Sequence, residues 1–345
     1  MRNSSWNDLT AMIDGKKLSY QPSGFIIDSP WIPGWYGIST IDYYTSDELW
    51  MKSNLKAINT FPGIWFLPGF WSEYGMCTEP SAFGAKMVYF EKGFPHADKV
   101  LRDVSEADLL PQPNVRTDGM LPFMINRLRN NQKAILDADH QIRFAVARGP
   151  LNIASFLMGT TEFMLALTMD PEGSHKLLKK ITDFICDWLS WQKECFPSID
   201  GVLILDDIIG FVGEAEFSEF VMPYMKRIFS ATGAKARFLH NDADGLITAK
   251  NIGEIGINMF NFSFNHSMGE IRELAGPDVI LVGNIPARDV LGSGNPSDVE
   301  NAVKKAFGEI KIHDKIIWSA GGGMPPDVKD ENIHAFVNSV KKLSK

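Results

Sequence analysis

Eight short apolar runs, each followed by a stretch of helical spacing, constrain this chain more than any other feature. The runs are Gly24–Asp28, Gly63–Leu67, Ile142–Ala147, Gly201–Leu205, Ala236–His240, Ile257–Phe262, Val279–Gly283 and Lys315–Ser319. Short, continuous and apolar is how parallel strands covered on both faces read. Between them the spacing predicts helices at Asp47–Ile58, Thr161–Thr168, Ser174–Phe196, Phe217–Thr232, Leu246–Ile252, Met268–Leu274, Pro296–Phe307 and Asn332–Leu343, with Gly, Asn, Asp and Pro at the joins. Eight strands alternating with helices over about 320 residues fit an α/β fold of the (β/α)8 barrel type. The rival, a doubly wound open sheet, is weakened because no glycine-rich dinucleotide fingerprint follows the first strand. Residues 1–23 and 84–130 fall outside the alternation. They are expected to form an N-terminal cap and a long insertion near the barrel mouth, within one domain spanning 1–345.

Composition narrows the function. The chain carries a net charge of −8, which argues against a nucleic-acid groove built from clustered Lys and Arg. No apolar run reaches the roughly 20 residues of a spanning helix. The opening Met1-Arg-Asn-Ser-Ser-Trp6 lacks the apolar core of a signal peptide. Cys77, Cys186 and Cys195 have no CxxC spacing and suit reduced thiols. The expectation is a cytoplasmic protein, with neither nucleic acid nor membrane as a partner and a homodimer left open.

In a barrel the chemistry sits at the C-terminal ends of the strands. Here those ends carry polar and aromatic residues: Trp31 and Trp35, Trp71 and Tyr74, Arg148, Asp206-Asp207, His240-Asn241-Asp242, Asn261, Asn284, and Ser319 followed by Gly321-Gly322-Gly323. His240 and Asp242 are two apart, so a strand points them the same way. A neutral imidazole beside a carboxylate suits metal ligation or acid–base work. The triple glycine lacks the Lys-Ser/Thr of a phosphate loop.

Several fragments in order make the chain resemble the uroporphyrinogen decarboxylase superfamily over roughly residues 60–343. They are Glu79–Lys86, Arg148–Gly159, Asp206 followed by Phe217–Tyr224, Leu239–Asp242, Gly283–Pro286 and Ser319–Pro326. The likeness is closer to the cobalamin-dependent methyltransferase branch than to the decarboxylases. Where decarboxylases carry an Arg-rich motif that grips porphyrinogen carboxylates, this chain has Trp31-Ile-Pro-Gly-Trp35. Coenzyme-M methyltransferases of the family hold zinc through His-x-Cys and a late Cys; here His240 stands, Asp242 replaces the first Cys and Gly322 the second. The first methyltransferases of anaerobic O-demethylase systems place twenty residues between a Glu and the His, as Glu219 and His240 do.

The resemblance therefore implies a zinc- and corrinoid-dependent methyltransferase. It would take a methyl group from a methyl ether, a methoxylated aromatic, and transfer it to a Co(I) corrinoid (cobalamin) carried by a partner protein. It implies Glu219, His240, Asp206 and Asp242 as the metal set, leaving open which of Asp206, Asp207 and Asp242 completes it. Asp206, His240 and Asn241 are expected in catalysis, and Trp31, Trp35, Trp71, Tyr74, Arg148, Asn261 and Asn284 around the small-molecule donor. The alternatives are another methyl donor (methylamine, methylthiol, methylcobamide) and a metal-free, decarboxylase-like lyase using Asp206 and His240 as acid and base.

Overall fold

The computed structural model describes residues 1–27, 29–91 and 93–344; Asp28, at the end of the first apolar run, lies outside them. All eight runs are parallel strands: β1 (Ser23–Ile26), β2 (Ile64–Leu67), β3 (Phe144–Arg148), β4 (Gly201–Leu205), β5 (Ala236–Asn241), β6 (Met259–Phe262), β7 (Ile280–Ile285) and β8 (Ile316–Ala320). Their order is β2-β1-β8-β7-β6-β5-β4-β3, the curled sheet of a (β/α)8 barrel, with no pairing between β2 and β3 among the described residues. Met1 occupies that seam. Its ammonium group donates to the Gln141 carbonyl at 2.6 Å, and a Cβ on Gly69 would meet its nitrogen.

Each strand is buried on both faces, as its unbroken apolar run requires. Inward residues form one cluster: Ile26, Trp65, Leu67, Phe144, Val146, Leu203, Leu205, Phe238, Met259, Ile280, Val282 and Ile317. Residues of opposite parity, such as Val202, Ile204, Leu239 and Phe260, pack against the helices in a second cluster. The helix Asn3–Ile13 closes the inner cluster with Trp6, Leu9 and Met12; Trp6 meets Phe144 edge-on at 5.6 Å.

The predicted helices are present with boundaries moved by a few residues, such as Pro171–Cys195 and Asp330–Leu343. The start read at Pro296 has a complete capping box, in which Asn295 accepts from Asp298 N–H and Asp298 accepts from Asn295 N–H. Within 84–130 lie a two-stranded antiparallel pair, Met87–Val88 with His96–Ala97, and the start of the helix Leu121–Asp137. No single helix among the described residues is long and apolar enough to cross a membrane.

Candidate metal centre at the barrel mouth

Register and parity decide which side chains face the mouth. Leu205 pairs with His240, His240 with Asn261, Asn261 with Val282 and Val282 with Ile317. Leu205, Val282 and Ile317 line the interior, so His240 and Asn261 face inward beside them. Two residues further along each strand the next tier holds Asp207, Asp242, Ser263, Asn284 and Ser319.

Asp207, His240 and Asp242 converge: their ligand atoms lie within 4.8 Å of one another, a spacing that suits a metal ion. His240 Nε2 is 3.6 Å from Asp207 Oδ1 and 3.9 Å from Asp242 Oδ2. Asp207 Oδ1 also accepts the Asp242 backbone N–H at 3.0 Å, fixing the two loops together. Burial first, then the neighbouring Asp207 charge, pushes the Asp242 carboxyl up to about 6.

Asn261 sets the imidazole. Its Nδ2 donates to the Val282 and Ala320 carbonyls at 2.7 and 3.0 Å, so its Oδ1 is an acceptor. That oxygen lies 2.6 Å from His240 Nδ1, which therefore carries the proton. Nε2 is left facing the two aspartates, the orientation a metal-binding histidine requires. A donor set of one imidazole and two carboxylates suits zinc or a harder divalent ion. No thiolate belongs to this group, and Gly322, whose φ is +139°, lies against Asp242 in a backbone conformation that disfavours a side chain.

Other expected site residues lie elsewhere. Asp206 has the opposite parity. It is fully buried, accepts the Leu151 N–H at the start of the helix Pro150–Met158, and burial pushes its carboxyl up to about 8. The carboxylate of that pair that faces His240 and Asp242 is Asp207. Glu219 is half exposed on the π-helical turn Phe217–Val221, 3.4 Å from His175, and is not part of the Asp207–His240–Asp242 group. Asn241 also points away from the mouth; it accepts the Ala243 N–H and donates to Asp244 O and Thr248 Oγ1, holding the β5 loop.

Most of the expected substrate wall is committed to packing. Trp31 is wholly buried, stacked on Trp35 at 4.9 Å and bonded to Val328 O. Trp35 donates to Asp330 at 2.6 Å, and Tyr74 lies under the Arg127 guanidinium. Asn284 donates to the His266 carbonyl. Of the four aromatics, Trp71 packs against the interior cluster while partly open.

Arg148 faces inward but is bonded to Glu73 at 2.8 Å, with both side chains buried. Glu73 accepts from Ser29, which accepts from Tyr44. Neither Glu73 nor Ser29 is among the expected site residues. Glu79 accepts the Arg148 backbone N–H at 3.2 Å, and burial pushes its carboxyl up to about 7. Between about pH 4.5 and about 7 the unfolded chain has lost this proton and the folded one retains it, so stability falls as pH rises through that window. Glu79→Gln removes that slope, worth on the order of 3 kcal/mol. Urea midpoints at pH 5 and 8 should therefore draw together in the variant; an unchanged gap would assign the slope to other groups.

A cavity of about 480 Å³ lies at the other end of the barrel, lined by Met12, Tyr20, Arg272 and His313 among others. That end of a (β/α)8 barrel serves stability, and the mouth serves chemistry.

A parallel barrel with a His/Asp cluster on the C-terminal tier defines the class of barrel proteins that act at the strand ends. More particularly, the chain belongs to the uroporphyrinogen decarboxylase (URO-D) family, whose model matches residues 36–343. Similar curated proteins include the uroporphyrinogen decarboxylase of Pseudomonas syringae pv. syringae, 24% identical over 77% of this chain and 76% of that protein. That of Hahella chejuensis is 26% identical over 77% and 76%. Among solved structures, a methyltransferase from Methanosarcina mazei shares the fold with a TM-score of 0.83, 17% identity and 98% coverage of both chains.

Proposed function

We propose that this protein is a methyltransferase that takes a methyl group from a methyl ether, a methoxylated aromatic, and passes it to a Co(I) corrinoid carried by a partner protein, with a zinc ion held by Asp207, His240 and Asp242. The convergence of those three side chains, with the histidine tautomer fixed by Asn261, carries the reading. Bound zinc would supply a Lewis acid to the ether oxygen and so ease departure of the phenolate. Asn261 holds Nδ1 and so aims Nε2 at the aspartates, and Asp207 holds the Asp242 loop beside it. Trp71, partly open beside the interior, offers a ring face to an aromatic donor. The methyltransferase named among the structural neighbours and the Trp31-Ile-Pro-Gly-Trp35 stretch, where decarboxylases carry an Arg-rich motif, both favour this branch over decarboxylation.

The named relatives keep a decarboxylase reading alive, but charge at the mouth weighs against it. A porphyrinogen carries carboxylates, whereas the inward guanidinium of Arg148 is bonded to Glu73 and the tier above holds Asp207 and Asp242. We place the protein in the cytoplasm.

Metal analysis of purified protein should find about one zinc per chain. Zinc-loaded protein, 2-methoxyphenol and cob(I)alamin should then yield methylcobalamin, followed by its absorbance. Protein that binds no divalent metal would sink the reading. Carbon dioxide release from uroporphyrinogen without methylcobalamin formation would move the assignment to a lyase.

A further inference from the structure

We infer that the Ser319 hydroxyl binds an oxygen of the methyl donor, making Ser319 a specificity-determining residue on the wall facing the aspartates. This rests on the methyl-ether reading above. On β8, Ile317 belongs to the interior cluster while Ile316, Trp318 and Ala320 pack outward, so Ser319 faces in. Ser319 pairs with Asn284, which places it on the same tier as Ser263 and Asp242. Beyond it the chain runs through Gly321 and brings Gly322 against Asp242. The end of β8 therefore reaches the metal group directly.

The other polar members of this tier on β6 and β7 have partners. Ser263 Oγ accepts the Asn265 N–H at 3.3 Å, and Asn284 donates to His266 O. Ser319 is 1% exposed, and its Oγ has no hydrogen-bond partner among the described residues. A buried hydroxyl without a bond is costly, and a ligand oxygen on the inward side would complete it. A hydroxyl donates and accepts but carries no charge, so it suits an ether or phenol oxygen. The nearby Asp207 and Asp242 disfavour a carboxylate in the same space. The inferred donor is thus neutral, with an oxygen beside the methyl-bearing one or the methoxy oxygen itself.

The test uses zinc-loaded protein without corrinoid, so that binding is read apart from methyl transfer. Titration with 2-methoxyphenol should give a Kd about tenfold weaker in Ser319→Ala than in the unaltered protein. Ethylbenzene, a probe without oxygen, should bind both alike, and Ser319→Thr should recover most of the loss. Zinc content should not change. Without probe, Ser319→Ala should melt at the same temperature or higher, because it deletes an unsatisfied group. Equal affinity for 2-methoxyphenol, no binding to the unaltered protein, or a lower melting temperature in the unliganded variant would each overturn the inference. If the affinity difference holds while no donor yields methylcobalamin, the functional reading fails and the Ser319 contact stands.

Discussion

Asp207→Ala and His240→Ala will each empty the metal centre: zinc falls from about one per chain to a small fraction, and methyl transfer drops by more than roughly 100-fold. Loss of a ligand must exceed the roughly 10–100-fold typical of losing a group that merely orients one. Asn261→Leu belongs to that lesser class. It frees His240 Nδ1 and strips the Val282 and Ala320 carbonyls of their donor. Its zinc affinity should fall roughly 10–100-fold while stoichiometry at saturating zinc is retained. The informative controls are Asp206→Asn and Glu219→Gln. Asp206 faces Leu151 and Glu219 faces His175, so both variants should keep full zinc content. Zinc lost in Glu219→Gln and retained in Asp207→Ala would restore the ligand set implied by family resemblance. Metal analysis after dialysis reads the zinc content of all five variants, zinc titration reads the affinity of Asn261→Leu, and methylcobalamin absorbance reads the transfer rate.

The contrast between Asp206 and Asp207 shows where sequence reasoning stops. Strand existence was legible because a strand buried on both faces leaves an unbroken apolar run, and all eight runs proved to be strands. The same property hides parity: in Val202-Leu203-Ile204-Leu205 nothing distinguishes the inward residues from the outward ones. Only the pairing of Leu205 with His240 reveals that Asp207 faces the mouth. His240 and Asp242 were legible because two polar residues of equal parity end one strand. Glu219 looked persuasive by spacing, which carries no information about where a π-helical turn directs its side chain. Trp31 and Tyr74 are expected around the donor because the loops carrying them follow the first two strands at the mouth. In the fold those loops return onto the barrel and bury both rings. Glu73 and Ser29 are not among the expected site residues, since their roles exist only once β2 and β1 lie beside Arg148.

That network supports the second large effect, which falls on stability. Arg148→Met should destabilise the protein by about 3–5 kcal/mol, because it leaves the Glu73 carboxylate buried without its cation. The remaining Ser29 hydroxyl is one hydrogen bond and does not replace a guanidinium. The cause is the orphaned charge rather than lost packing, and the double variant Arg148→Met/Glu73→Leu separates the two. With both charges gone it should recover most of the loss, since an apolar pair of similar volume is often neutral in place of a buried ion pair. Urea unfolding followed by tryptophan fluorescence gives both midpoints. If single and double variants unfold together, the pair is not the source of the effect and Arg148 acts through its contact over Trp71, 5.7 Å away. Recovery in the double variant would also show that Arg148 neutralises its own scaffold, which leaves Asp207 and Asp242 as the charges beside His240.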